Sequence, residues 1–334
     1  MEAKSKEAMD EERSAIVEFF QSLLREDIDW SIADEYPLIF GDANFGIIKI
    51  DPQNSGFLAG QIDAAFSGSS PAQVFLIEER GKLLAGLATL IREVQISSDR
   101  RAKVCFVGSV ITREEYRQQG YQRDLFTALD TACRKSEIDL ILLWSNQLKF
   151  YEKLGFFLGG LQATWSSELK AALCSHSKSI QSASLALSQK TNFKINWYEA
   201  FNQKTMRVSR SAEEMRSLLK IPQMYIASTE NAYALYGKGE DFKNVCHEWA
   251  GPTEEVLSCL ERLRREFGNL SLLSPGVLHS DEERLVVRQL ESSSYESRLE
   301  YLALMKILNS EFTEDDFSPE KLKYPFFIWG LDSI

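Results

Sequence analysis

The sequence predicts a mixed α/β fold, α+β in its connectivity, built as a larger N-terminal part followed by a smaller one. Three observations carry that prediction. Between residues 73 and 112, apolar and polar residues alternate with period two, the mark of strands. The strand VCFVGSVIT then runs through a polar turn into an amphipathic helix and back into an all-apolar strand, IDLILLW at 138–144. The order strand, helix, strand returns in the second half. A meander joined to a right-handed β-α-β crossover gives a central mixed sheet flanked by helices.

In order, residues 11–26 carry apolar side chains at helical spacing. Segment 27–70 is irregular, with Trp30, Tyr36, Phe40 and Phe45, and reads either as a substrate-covering loop or as a short helix and loop packing its own aromatics. QVFLIEE and LLAGLATLIREVQI flank Arg80-Gly81-Lys82 as a hairpin. A helix over 120–135 buries Tyr121, Leu125 and Leu129, and NQLKFYEKL forms a short helix ended by Gly155. A strand pair is expected over 156–169. The serine-rich stretch 174–191 marks a boundary, giving domains 1–172 and 192–334 with a linker at 173–191. In the second half, YIAS and residues 231–251 read as strands. Pro252 opens a helix with Val256, Leu260, Leu263 and Phe267 as its buried stripe, LSLLSP is a strand, and helices are expected at 281–290 and 294–308.

Composition narrows the function. With 44% hydrophobic and 26% charged residues in 334, the chain has the make-up of a soluble globular protein long enough for two domains. No apolar run approaches the ~18 residues of a membrane helix. The opening MEAKSKEAMDEERS lacks the apolar stretch of a leader, so a cytoplasmic protein without membrane contact is expected. The five cysteines include no C-x-x-C pair and the three histidines are far apart, so neither a metal site nor a disulfide framework is predicted. A net charge of −11 argues against nucleic acid. It favours a cationic substrate such as an amine, or serves solubility alone.

The chemistry concentrates at Arg117-Gln118-Gln119-Gly120-Tyr121-Gln122-Arg123, a sharp turn at a helix start. Amides without helical partners, the positive end of the helix dipole and two arginines suit a phosphate chain, and Gly120 lets it approach the backbone. The matching turn of the second half, AGPTEE, is acidic and cannot cradle a pyrophosphate.

This stretch resembles the acetyl-CoA signature of the GCN5-related N-acetyltransferase (GNAT) superfamily, V-x-x-x-P-x-x-R-x-x-G-x-G/A. A second element follows in the right order, Asn146…Tyr151-Glu152-Lys153-Leu154-Gly155-Phe156. Glu114 stands where the family often has proline and Gln122 where it has glycine or alanine; the Gln122 amide is expected to donate to a phosphate oxygen instead. The resemblance spans about residues 35–169. The two-half layout is similar to proteins in which a GNAT domain is fused to a divergent GNAT-like one. The resemblance implies a GNAT fold with splayed parallel strands and acetyl-CoA as co-substrate. It implies pantetheine bonding by Val110, Ile111 and Thr112, phosphate binding by residues 117–123, and cofactor contact near Asn146, with Trp144 and Ser145 beside it. An amine of a small molecule or peptide attacks the thioester directly, an amide at 110 or 111 stabilises the oxyanion, and Tyr151 protonates the departing thiolate. Glu114 is the first candidate base, with Glu115, Glu93 or a water relay open. A non-catalytic acyl-CoA sensor is the alternative, and homo-oligomer formation is left open. His247-Glu248 either faces a shared cleft or is structural, and the end of the chain after FFIWGL is expected to point inward.

Overall fold

The computed structural model describes residues 6–41, 45–51, 66, 70–97, 100–166, 207–277, 281–321 and 326–334. Helix α1 (Lys6–Leu24) buries Ile16, Phe19 and Phe20, and the short α2 (Ile32–Glu35) is held by a capping box at Ser31. Strand β1 (Gly46–Ile50) lies parallel to β2 (Ala72–Glu79), which turns through Arg80 (φ 52°) and Gly81 (φ 79°) into β3 (Lys82–Gln95). Two consecutive left-handed residues match the strand twist, which is why this hairpin was legible. Strand β4 (Arg101–Thr112), helix α3 (Tyr121–Lys135) and β5 (Leu140–Leu143) form the parallel crossover. Helix α4 (Leu148–Glu152) and β6 (Phe157–Ser166) complete the first half.

The second half runs β7 (Arg207–Val208), α5 (Ala212–Leu218), β8 (Tyr225–Ser228), β9 (Tyr233–Tyr236) and β10 (Val245–Ala250). It continues with α6 (Thr253–Phe267), β11 (Ser271–Pro275), α7 (Asp281–Ser292) and β12 (Glu296–Ile307). Among the described residues all twelve strands join one sheet, ordered β1-β2-β3-β4-β5-β12-β6-β11-β10-β9-β8, with β7 beside β3. From β2 and from β8 the element order is identical: three strands, helix, strand, helix, strand. The two terminal strands of this repeat exchange neighbours, β12 pairing β5 and β6 pairing β11, both antiparallel. Apart from β1 and β7, the strand order is therefore symmetric about the β6–β12 pair.

Three expectations are corrected here. Residues 294–308 are not a helix but β12; Leu302, Ala303, Leu304 and Met305 are buried in succession, as in a strand covered on both faces. Its Leu, Ala, Met and Glu favour helix in isolation, and tertiary pairing overrides that preference. Of the pair expected over 156–169, the described residues, which run to 166, form one strand, β6, its partners coming from the second half. Within the segment read as irregular lie α2 and β1. The linker at 173–191 falls outside the described residues.

Alternation along β4 distributes the cores. Cys105 and Val107 face α3 and α4, while Val104 and Phe106 face a core shared with Tyr233, Trp249, Phe326 and Leu331 of the second half. Polar ties reinforce the junction: Arg25 binds Glu35 (2.6 Å) and Asp241 (3.0 Å), and the Glu240 amide donates to Glu35 (2.7 Å). No helix among the described residues is long and apolar enough to cross a membrane, and none of their His, Cys, Asp and Glu clusters could hold a metal ion.

Candidate active site

A fork opens where β4 outlasts β5. Parallel pairing ends at Val107↔Leu143, while β4 continues to Thr112. Just beyond, Gly86 faces Ile111 but Ala88 faces Gly108, so β4 carries one extra residue, a bulge, with Ser109 left-handed at φ 51°. The Ser109 hydroxyl is buried without a partner among the described residues, a costly state unless a ligand supplies one. Arg113 N–H donates to Leu84 O at 2.9 Å, and ladder alternation then turns the main-chain groups of Ile111 toward β3 and those of Thr112 away from it.

The turn after β4 leads back to α3. Glu114 and Glu115 lie exposed in a 3₁₀ turn, Glu115 beside Lys82 at 3.1 Å. Arg117 and Gln119 are exposed, and Gln118 is left-handed (φ 64°). Gly120 caps α3 at φ 89°, where a side chain would be strained. No side chain caps the helix, so the amides of residues 120–123 lack helical acceptors, and the Arg123 guanidinium folds over Gly120. Tyr121 is buried with its hydroxyl on Glu79 (3.2 Å), leaving only its amide to the turn. Gln122 differs from the expectation. Its amide nitrogen donates to Ile111 O (2.6 Å) and Thr112 Oγ1 (2.7 Å), tying the helix start to the strand end rather than reaching for a phosphate.

Tyr151 lies on the α3 face of the sheet, edge-on to Phe126, Phe150 and Phe156 at 5.0–5.7 Å between ring centroids. Burial pushes its phenol up, against the hydrogen bond from Ser145, so it holds its proton at neutral pH. Ser145 follows β5 at the mouth of the fork and also receives the Gln147 amide at 3.1 Å. Asn146 is exposed next to it, and Trp144 stacks on Phe106 at 6.0 Å. The fork thus gathers Val110, Thr112, the α3 start and Tyr151. It does not gather the carboxylates: Glu93 pairs loosely with Arg101 (3.7 Å) and is 63% exposed, and Glu114 stands beyond the strand end.

On the opposite face of the fork lies Ile334, of the buried segment 326–334. The carbonyl carbon and oxygen of Ile334 lie 2.6 Å from where a Cβ on Gly108 would be, a contact only glycine permits. His247 and Glu248 are fully buried in the second half, the latter paired with Arg210 at 2.8 Å. Ser109 and Gly108 were missed as site residues, whereas Ser145 was expected beside Asn146; a glycine inside the apolar run VCFVGSVIT was the available sign of a bulge. Cavities of about 670 and 500 Å³ flank Trp30, and neither includes a residue of the fork.

Residues 57–159 match a family model described as "Acetyltransferase (GNAT) domain". No curated protein matches the sequence. Among solved structures, a probable N-acyltransferase from Enterococcus faecalis V583 superposes with a TM-score of 0.56 at 10% identity, covering 90% of this chain and 71% of that one. A GCN5-related N-acetyltransferase from Anabaena variabilis gives 0.52 at 15% identity, covering 78% and 72%. At these identities the likeness speaks for the fold. The chain carries a GNAT domain in its first half, and its fold is the GNAT fold.

Proposed function

We propose that the protein is a cytoplasmic N-acetyltransferase moving an acetyl group from acetyl-CoA to a primary amine of a small molecule or peptide by direct attack. The observation that carries the reading is the bulge at Ser109, which opens β4 from β5 in line with the uncapped start of α3 and on the face that holds Tyr151. Acetyl-CoA, when bound, supplies an activated acetyl group. The residues present fit it: the amides of 120–123 with Arg117 and Arg123 for the pyrophosphate, Val110 and Thr112 for the pantetheine arm, and the Ser109 hydroxyl as an unused polar group. Between residues 110 and 111, ladder direction favours the Val110 amide as donor to the carbonyl oxygen. Tyr151, kept protonated by burial, gives its proton to the departing sulfur, and Ser145 orients the hydroxyl. Glu114, the candidate base, serves only through water from its exposed turn.

Tyr151→Phe tests this in a thiol-release assay over an amine panel. The expected result is a fall in kcat of about 10²-fold or more with acetyl-CoA binding unchanged. Acetyl-CoA at roughly 100 times its Kd should stabilise the fold by about 2.7 kcal/mol. No rise in melting temperature sinks the cofactor itself. The exposure of Glu93, Glu114 and Glu115 favours a second reading, a non-catalytic acyl-CoA sensor. Acetyl-CoA binding by the wild type without thiol release on any amine would select it. The division into a 1–172 catalytic domain and a degenerate GNAT-like domain over 192–334 belongs to the same proposal, supported by the repeated element order.

A further inference from the structure

We infer that Arg210, Lys238 and Asp332 are positioning residues for the acceptor: they hold residues 326–334 in a register that makes Ile334 the acceptor-side wall of the fork. The inference rests on the acetyltransferase reading. Phosphates would reach the α3 start, so the cofactor enters from the α3 face, whereas Ile334 meets Gly108 from the other side and packs with the core shared between the halves. An amine attacking the thioester comes past that residue. A main-chain oxygen there accepts a hydrogen bond from an amine N–H.

The ties are specific. Asp332 receives both Arg210 Nε (2.8 Å) and Nη2 (2.6 Å), and Arg210 is itself held by Glu248 at 3.0 and 2.8 Å, with Tyr233 donating to Glu248 at 2.7 Å. The Lys238 ammonium donates to Gly330 O (3.1 Å), to Ser333 O and to Ser333 Oγ (2.9 Å). Adhesion does not require these groups. Phe326, Phe327, Ile328, Trp329 and Leu331 are all at most 4% exposed and already anchor the segment. Buried ion pairs add little net stability compared with apolar replacements, but a bidentate Arg–Asp pair and a three-oxygen ammonium site permit one register. Apolar packing alone would tolerate sliding of the segment, and with it of Ile334.

The experiment compares wild type with Lys238→Met, Ser333→Ala, Asp332→Asn and Gly108→Ala, the last pushing Ile334 away without touching the ties. Probes are spermidine, tyramine and a lysine-containing tetrapeptide, with thiol release and calorimetric acetyl-CoA binding as readouts. The expected result is an amine KM raised roughly tenfold or more in Gly108→Ala and Lys238→Met, and less in Ser333→Ala, with acetyl-CoA Kd unchanged. A purely structural role lowers the melting temperature and leaves amine KM untouched; that outcome overturns the inference and spares the acetyltransferase reading. Should Lys238→Met or Asp332→Asn not fold, Ser333→Ala and Gly108→Ala decide alone. A wild type that releases no thiol with any probe overturns both.

Discussion

The two halves open their sheets by the same device and use the opening in opposite ways. In the first, pairing of β4 with β5 stops at Val107↔Leu143 and a bulge follows at Ser109; in the second, pairing of β10 with β11 stops at Cys246↔Leu272 and a bulge follows at His247. At the first fork a small hydroxyl finds no partner among the described residues and the next helix starts without a side-chain cap behind Gly120. At the second, Trp249 Nε1 donates across to Leu273 O (2.9 Å), Trp329 meets Trp249 edge-on at 5.6 Å, and Gly330 sits against His247. Glu255 occupies the first turn of α6, fixed by the Asn231 amide and side chain at 3.1 and 3.0 Å. A carboxylate there repels an anion, whereas the proposed phosphate site at the α3 start keeps its amides uncapped. Duplicated geometry does not preserve function; filling one opening with the chain's own aromatics and closing its anion site leaves it as support for the other.

The largest effect expected from breaking this arrangement is on folding itself. If β12 completes the first half and β6 the second, residues 1–172 expressed alone lack the strand between β5 and β6 and should show no cooperative thermal transition. Co-expression with 192–334 should restore one, together with a stable complex. A cooperative transition for 1–172 alone would show that the exchanged strands are dispensable.

Next comes the contrast between the two strand-to-helix turns. Gly120→Val puts a branched side chain at φ 89° where a phosphate must approach the amides, so acetyl-CoA Kd should rise about tenfold or more. Gly251, at φ 133°, stands one residue before Pro252, the cap of α6, and a Cβ there would sit 2.5 Å from that of Ala232. Gly251→Ala should cost stability, about 1–3 kcal/mol by chemical denaturation, while leaving the Kd for acetyl-CoA unchanged. Equal losses of binding in both variants would mean that the second turn also takes part in holding the cofactor.

The first half was more legible than the second for a physical reason. Strands β2, β3 and β4 pair with one another in sequence order and β4 reaches β5 across one crossover, so local alternation and turn chemistry report them. Strand β12 pairs only with β5 and β6, more than a hundred residues away, and its leucine-rich sequence carries no local sign of those partners. The turn into α3 could be read because its requirement is local: glycine at a left-handed cap before an apolar stripe. The role of Gln122 could not, because whether its amide reaches outward or back to Ile111 depends on how close α3 lies to the end of β4. The wall formed by Ile334 depends on a register set by Arg210 and Lys238, which no spacing along the chain encodes.

The sharpest test of the second fork as a closed structure is its response to acid. Burial, with Lys238 nearby, lowers the His247 pKa to about 3 from its ordinary 6.5. Its Nε2–H donates to Gly237 O at 3.1 Å and Nδ1 has no partner among the described residues, so a second proton would place a charge where none of them receives it. Between pH 6.5 and 3 the unfolded chain therefore binds a proton at this residue that the folded chain refuses. The stability due to neutral His247 is complete above pH 6.5 and falls by about 1.4 kcal/mol per unit as the pH drops toward 3. Carboxylates titrate in the same window, so the comparison is with His247→Leu, which keeps every carboxylate. The variant should be less stable than wild type near pH 7, for want of the Gly237 bond, yet lose stability more slowly on acidification, so that the two curves converge. Parallel curves between pH 6.5 and 4 would mean that His247 takes up its proton in the folded state, and hence that water or a ligand reaches the second fork after all.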